Sequence, residues 1–283
     1  MVSTVVRGVL VFHAAVAALL GLGALLALGS GAIELPWPRV GGHLVTFVAA
    51  AALASLIVLA GRRPTADDLA LAAAASLVFI NAMVLSYAPF LVAGFPQVGS
   101  LNWSGKGLSL AYVLMAIAQQ PAGVRRNSGL LGLPAREHRR FTVLMLGLFA
   151  LLGLVLAWAD SGAGDPVEAT LFQLTLPSLS EELLFRAVLL SLLGAVGLRA
   201  LPGLPQGFGR AAIATSLLFG LVHGFLFLPD SGFVVQPVPI VATGLLGAGL
   251  AWLTIRCRSV WPAVVAHSLL NATGPMLRLI GLL

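Results

Sequence analysis

TLFQLTLPSLSEELLFRAVLLSLLGAV, residues 170–196, reads as a membrane segment with Glu181, Glu182 and Arg186 set in its middle. A helix needs about 20 apolar residues to cross the hydrocarbon core, and this stretch is long enough. A charge at that depth costs roughly 3 kcal/mol even on lenient insertion scales, so such residues face a protein interior or a wet cavity and mark a site. The surrounding composition carries the same message. The chain has 283 residues, 59% hydrophobic and 9% charged, and a mean hydropathy of +1.02. A soluble chain carries about 25% charged residues. The deficit runs along the whole sequence, which predicts a single integral membrane domain with no separate soluble part.

Working outward from residues 170–196, further apolar segments fall at about 5–29, 42–61, 69–94, 104–119, 141–159, 211–228, 237–255 and 259–280. The expected fold is therefore all-α, a polytopic transmembrane bundle of about 8–9 membrane helices, with 104–119 the weakest span. Charge placement sets its orientation. With the N-terminus inside, Arg7, Arg62, Arg63, Arg125, Arg126, Arg136, Arg139, Arg140, Arg199, Arg210, Arg256 and Arg258 lie inside, against Arg39, Lys106 and Arg278 outside. Every tryptophan (Trp37, Trp103, Trp158, Trp252, Trp261) falls near an expected interface. The net charge of +6 thus describes cytoplasmic loops against anionic lipid, and no nucleic-acid partner is expected. The first segment exceeds the usual signal-peptide core and reads as an uncleaved helix. The single cysteine, Cys257, forms no intramolecular disulfide.

Glu182 and Arg186 stand one helical turn apart and suit an ion pair, which leaves Glu181, rotated by about 100°, pointing elsewhere. His223 follows in a later apolar segment, and His267 and Asn271 share one face of the last. On the expected topology Glu181, His223 and His267 lie roughly 21, 18 and 14 Å from the inner helix ends, a depth at which they can share a cavity. Carboxylates, imidazoles and an amide suit peptide hydrolysis: a base for water, donors for the oxyanion and an acid for the leaving amine. A zinc variant would use Glu181, His223 and His267 as ligands from separate helices, with Glu182 as base. His13, alone in its segment, reads as a structural hydrogen-bonder. Gly244 and Gly247 read as positions of close helix packing.

The order EExxxR at Glu181–Arg186, FxxxH at Phe219–His223 and HxxxN at His267–Asn271 resembles the CPBP family of intramembrane proteases, which includes the CAAX prenyl protease 2 type and the bacterial Abi type. The resemblance implies a helical membrane enzyme whose site opens to the cytosol and laterally to lipid. It implies Glu181 as the water-activating base, with His223, His267 and Asn271 positioning water and stabilising the oxyanion. Glu182, Arg186 and Phe219 would be supports. No cofactor is favoured, and the zinc set above is the alternative. The substrate implied is a membrane-associated protein or peptide. The motifs divide the chain into accessory helices over 1–140 and a catalytic core over 141–283. An inactive scaffold or immunity-type relative is one competing reading; a proton-coupled transporter is another, weakened by the absence of an internal repeat.

Overall fold

The computed structural model describes residues 4–29, 37–61, 63–91, 95–120, 131–134, 136–159, 164–197, 209–228 and 230–283. Of the charge argument, Arg62, Arg125, Arg126 and Arg199 and the side chains of Trp37 and Arg39 lie outside the described residues. The helices are α1 (Thr4–Gly29), α2 (Trp37–Leu59), α3 (Ala66–Leu91), α4 (Trp103–Gln119), α5 (Arg139–Ala159), α6 (Pro166–Leu174), α7 (Leu176–Glu182), α8 (Leu190–Gly197), α9 (Arg210–Gly224), α10 (Pro237–Cys257) and α11 (Trp261–Leu279). A π-helical turn, Leu183–Leu189, joins α7 to α8.

The expectation of 8–9 membrane helices is corrected. Among the described residues four helical stretches are long and apolar enough to cross a membrane: Val40–Leu59, Ala66–Phe90, Arg136–Trp158 and Pro237–Cys257. These long apolar helices make this a membrane protein. Three of the other expected spans fail for separate physical reasons. At 17 residues, α4 reaches only about 25 Å at 1.5 Å per residue. Pro177 has no N–H to bond the Gln173 carbonyl and its ring crowds the preceding turn, whereas it is tolerated in a first turn, so the stretch 170–196 breaks at Thr175 (φ −117°, ψ −89°) into α6 and α7. The expected span 211–228 ends as helix at Gly224 and continues as a strand.

The fold is predominantly helical, as expected, and that strand adds one short hairpin to it. Phe225–Leu228 (β1) pairs antiparallel with Gly232–Val235 (β2), with Phe225 opposite Val235 and Leu228 opposite Gly232. Aromatic and β-branched residues flank a short turn closed by Gly232, whose φ of +71° favours glycine. Inside an apolar run, this hairpin signal is indistinguishable by hydropathy from the end of a helix.

Two apolar cores hold the bundle. The larger joins α2, α3, α4, the π turn, α8 and α9 through Phe47, Phe79, Tyr112, Phe185 and Phe219. The smaller joins α5, α10 and α11 through Phe149, Leu250, Leu253 and Ala266. Helices α9 and α10 approach closely at two glycines: a Cβ on Gly220 would overlap the Ile240 carbonyl and stand 3.2 Å from the Gly244 Cα. His13 is buried and finds its partners across helices. Its Nδ1 lies 2.8 Å from the Tyr112 hydroxyl, while Asn81 Nδ2 donates to that hydroxyl and to the His13 carbonyl at 3.0 and 3.1 Å. This network ties α1 to α3 and α4 with its polar groups satisfied.

The N-terminal and C-terminal halves are clamped at one end of the bundle by Glu168. Its Oε1 accepts from the Ser100 and Leu101 amides and the Trp103 indole, and its Oε2 from the Ser100 hydroxyl at 2.7 Å. The Ser100 hydroxyl first, then the amides and the indole, hold this carboxyl below its usual 4.5, against an upward push from desolvation. A carboxyl lowered by folding stabilises the fold fully above its unfolded value, and the contribution is lost as pH falls through the folded value. Melting from pH 6 to pH 3 should therefore show the wild type losing stability below about pH 4.5, as for a free carboxyl. Glu168→Gln should start lower and show a shallower decline over the same range.

Candidate active site

The two glutamates leave the chain where its helix changes character. After Glu182 the backbone widens into the π turn, with the Leu190 amide bonding the Phe185 carbonyl five residues back. Such turns are rare and gather at functional sites. The displaced carbonyls of Ala187 and Val188 are satisfied by Gln120 Nε2 from α4 at 3.3 and 3.4 Å, and Ser191 Oγ bonds the first of them at 2.6 Å.

Glu182 and Arg186 point into protein. Both side chains are fully buried, with Arg186 Nε 3.2 Å from Glu182 Oε2. The pair is close in distance but poorly aligned as a hydrogen bond. Arg186 Nη2 donates to the Gly247 carbonyl at 3.0 Å, and the guanidinium lies over Phe219, 4.8 Å from the ring centroid. The other Glu182 oxygen lies 2.9 Å from His267 Nδ1. Glu182 thus links the arginine to an imidazole on another helix.

Glu181 points elsewhere, into a cavity of about 370 Å³ that is also lined by His223, His267 and Asn271. Phe172 and Gln173 from α6 and Leu246 and Leu250 from α10 complete much of its wall. The four candidate catalytic residues, from α7, α9 and α11, therefore share one space. Phe219 packs against both imidazoles, 4.7 Å from the His223 ring and 5.7 Å from the His267 ring, centroid to centroid.

Each imidazole is oriented through Nδ1. His223 Nδ1 lies 2.6 Å from the Phe219 carbonyl and His267 Nδ1 faces the Glu182 carboxylate. Both partners are acceptors, so Nδ1 carries the proton and Nε2 is the nitrogen left to work with.

The expected zinc set is corrected. Among the described residues no group of three or more His, Cys, Asp and Glu side chains could hold a metal ion. The reason lies in a residue that sequence reasoning missed. Lys106 Nζ, from the first turn of α4, stands 2.6 Å from Glu181 Oε1, and a cation there repels a divalent ion at the same carboxylate. His267 is turned toward Glu182 through Nδ1. Lys106, expected at an outer interface, lines the main cavity and also a smaller one of about 100 Å³ with Ser86, Tyr87, Ser109 and Ser180. Its signal in the sequence was one lone lysine in an apolar segment and one glutamate without a partner. A separation of 75 residues hid the match.

The carboxylate, the two oriented imidazoles and the amide are the motif residues, now gathered around one cavity. Residues 164–273 match the family of type II CAAX prenyl endopeptidase Rce1-like proteins. The matched segment contains all three motifs and ends two residues past Asn271. That family falls in the CPBP/Abi grouping, and the match over this segment, together with the long apolar helices, supports a membrane-embedded CAAX-type protease fold. Lys106, Ser109 and Gln120 lie outside the segment, which makes the N-terminal half part of the site's construction. No curated protein and no solved structure matches the chain.

Proposed function

We propose that this protein is an intramembrane endopeptidase that hydrolyses a peptide bond of a membrane-associated protein or peptide, with residues 141–283 as catalytic core and 1–140 as accessory helices. The observation that carries this reading is the shared cavity of Glu181, His223, His267 and Asn271. Glu181 takes a proton from water as the water oxygen adds to the scissile carbonyl carbon, and passes it to the nitrogen as the carbon–nitrogen bond breaks. His223 accepts from that water through Nε2 and aims it. The Asn271 amide donates to the oxyanion together with His267, which does so from Nε2 as an imidazolium whose Nδ1–H stays on the Glu182 carboxylate. Lys106 occupies Glu181 Oε1 and leaves Oε2 to receive the proton. Glu182, Arg186 and Phe219 act by holding these groups in register. The N-terminus lies in the cytoplasm.

The test is cleavage of lipid-anchored peptides by the purified protein in nanodiscs, read by mass spectrometry. His223→Ala and Asn271→Ala should each lower turnover by about 10²-fold or more, the range for one acid–base or oxyanion group. Wild-type turnover no faster than that of both variants would defeat the reading.

A further inference from the structure

The contacts between helix ends sort the described residues onto two ends of the bundle. At one end Lys106 of α4 meets Glu181 of α7, and Glu168 in the first turn of α6 holds Ser100 before α4. Gln236, just before α10, bonds the Gly224 carbonyl at the close of α9. His43 near the start of α2 meets Tyr87 near the end of α3 and Phe227 of the hairpin. At the other end Arg210, opening α9, bonds the Ala60 carbonyl after α2. Thr142, early in α5, meets Cys257 at the close of α10 at 3.2 Å. The Trp261 indole at the start of α11 donates to the Leu131 carbonyl at 3.1 Å.

The cationic side chains follow this division. Arg63, Arg136, Arg139, Arg140, Arg210, Arg256 and Arg258 belong to the second end, while the first holds Lys106 and Arg278. Asp165, Glu168 and Asp230 also lie at the first end; Asp67, Asp68 and Glu137 lie at the second, and acidic residues contribute little to membrane orientation. The cavity sits toward the first end: Lys106 is near the start of α4, Glu181 lies early in the continuous helical run from Leu176 to Gly197, His223 is next to last in α9, and Leu156 and Thr243 lie near the same end of α5 and α10. Leu250, His267 and Asn271 carry its wall toward the middle of the bundle.

Lysine and arginine are retained on the cytoplasmic side of a membrane protein. We infer that the active-site cavity opens away from the cytoplasm, so that the substrate is a lipid-anchored or translocated polypeptide whose scissile segment lies at the outer leaflet. This rests on the peptidase reading for the word substrate, though not for the side of opening, and it reverses the cytosolic opening implied by the family resemblance.

The experiment is thiol labelling of the full chain in intact cells with a membrane-impermeant maleimide. Val98→Cys reports the cavity end and Leu133→Cys the arginine end, at positions 64% and 86% exposed; the native Cys257 is buried. Ser231→Cys in the hairpin turn is a second reporter for the cavity end. Val98→Cys and Ser231→Cys should label in intact cells, and Leu133→Cys only after permeabilisation, with at least a tenfold contrast. The opposite pattern, or equal labelling of both ends, overturns the inference. Labelling needs no turnover, so it reports the side of opening even for an inactive protein. Correct sidedness with no cleavage of peptides supplied in the outer leaflet would instead bring down the peptidase reading.

Discussion

Glu181→Gln is expected to lower peptide hydrolysis by about 10²–10⁴-fold, the usual contribution of a general base, with no loss of folded protein. Glutamine keeps the length of the side chain, and its carbonyl oxygen still accepts from Lys106 Nζ, which stands 2.6 Å from Glu181 Oε1. What it lacks is an oxygen able to take up the water proton. The variant therefore separates chemistry from assembly. Turnover of lipid-anchored peptides and the melting temperature in the same detergent decide it. Activity falling in step with the folded fraction would identify a structural ion pair, and unchanged activity would remove Glu181 from the mechanism.

Arg186→Leu is expected to destabilise the fold by about 3–5 kcal/mol, the cost of leaving one member of a buried ion pair without its partner. Both side chains are fully buried, and the change also removes the bond to the Gly247 carbonyl and the contact with Phe219. The double variant Glu182→Leu with Arg186→Leu should recover most of that loss, because replacing both members of a buried pair by apolar groups is often nearly neutral. It should nevertheless stay inactive, since His267 Nδ1 loses the carboxylate 2.9 Å away that orients it. Thermal melting of the single and double variants, with turnover measured on each, checks both halves. A double variant as unstable as the single one would locate the stabilisation in shape, not in charge pairing.

These expectations rest on residues of two kinds. Glu181, Glu182, Arg186, His223, His267 and Asn271 were legible because each is costly in an apolar segment, and cost is a local property that composition and spacing reveal. Their helical offsets also showed that Glu182 faces Arg186 while Glu181 points elsewhere. Lys106 was read as an interface charge, because a hydropathy window weighs a lysine by its neighbours along the chain and not by a carboxylate 75 residues away. Gln120, which satisfies the carbonyls of the π turn, was silent for the same reason.

The sequence by itself determined that this is a membrane protein, which end of each helix carries the arginines, and which side chains are too expensive to be there without a role. Each follows from the transfer energy of individual residues, summed over short stretches. The tertiary structure decided the rest: the break of 170–196 at Thr175 and its π turn, the hairpin after Gly224, and four helical stretches of spanning length among the described residues. It also decided the pairing of Lys106 with Glu181. These depend on where backbone hydrogen bonds terminate and which distant groups meet, and both are set by packing between segments, beyond the reach of the hydropathy of any one of them.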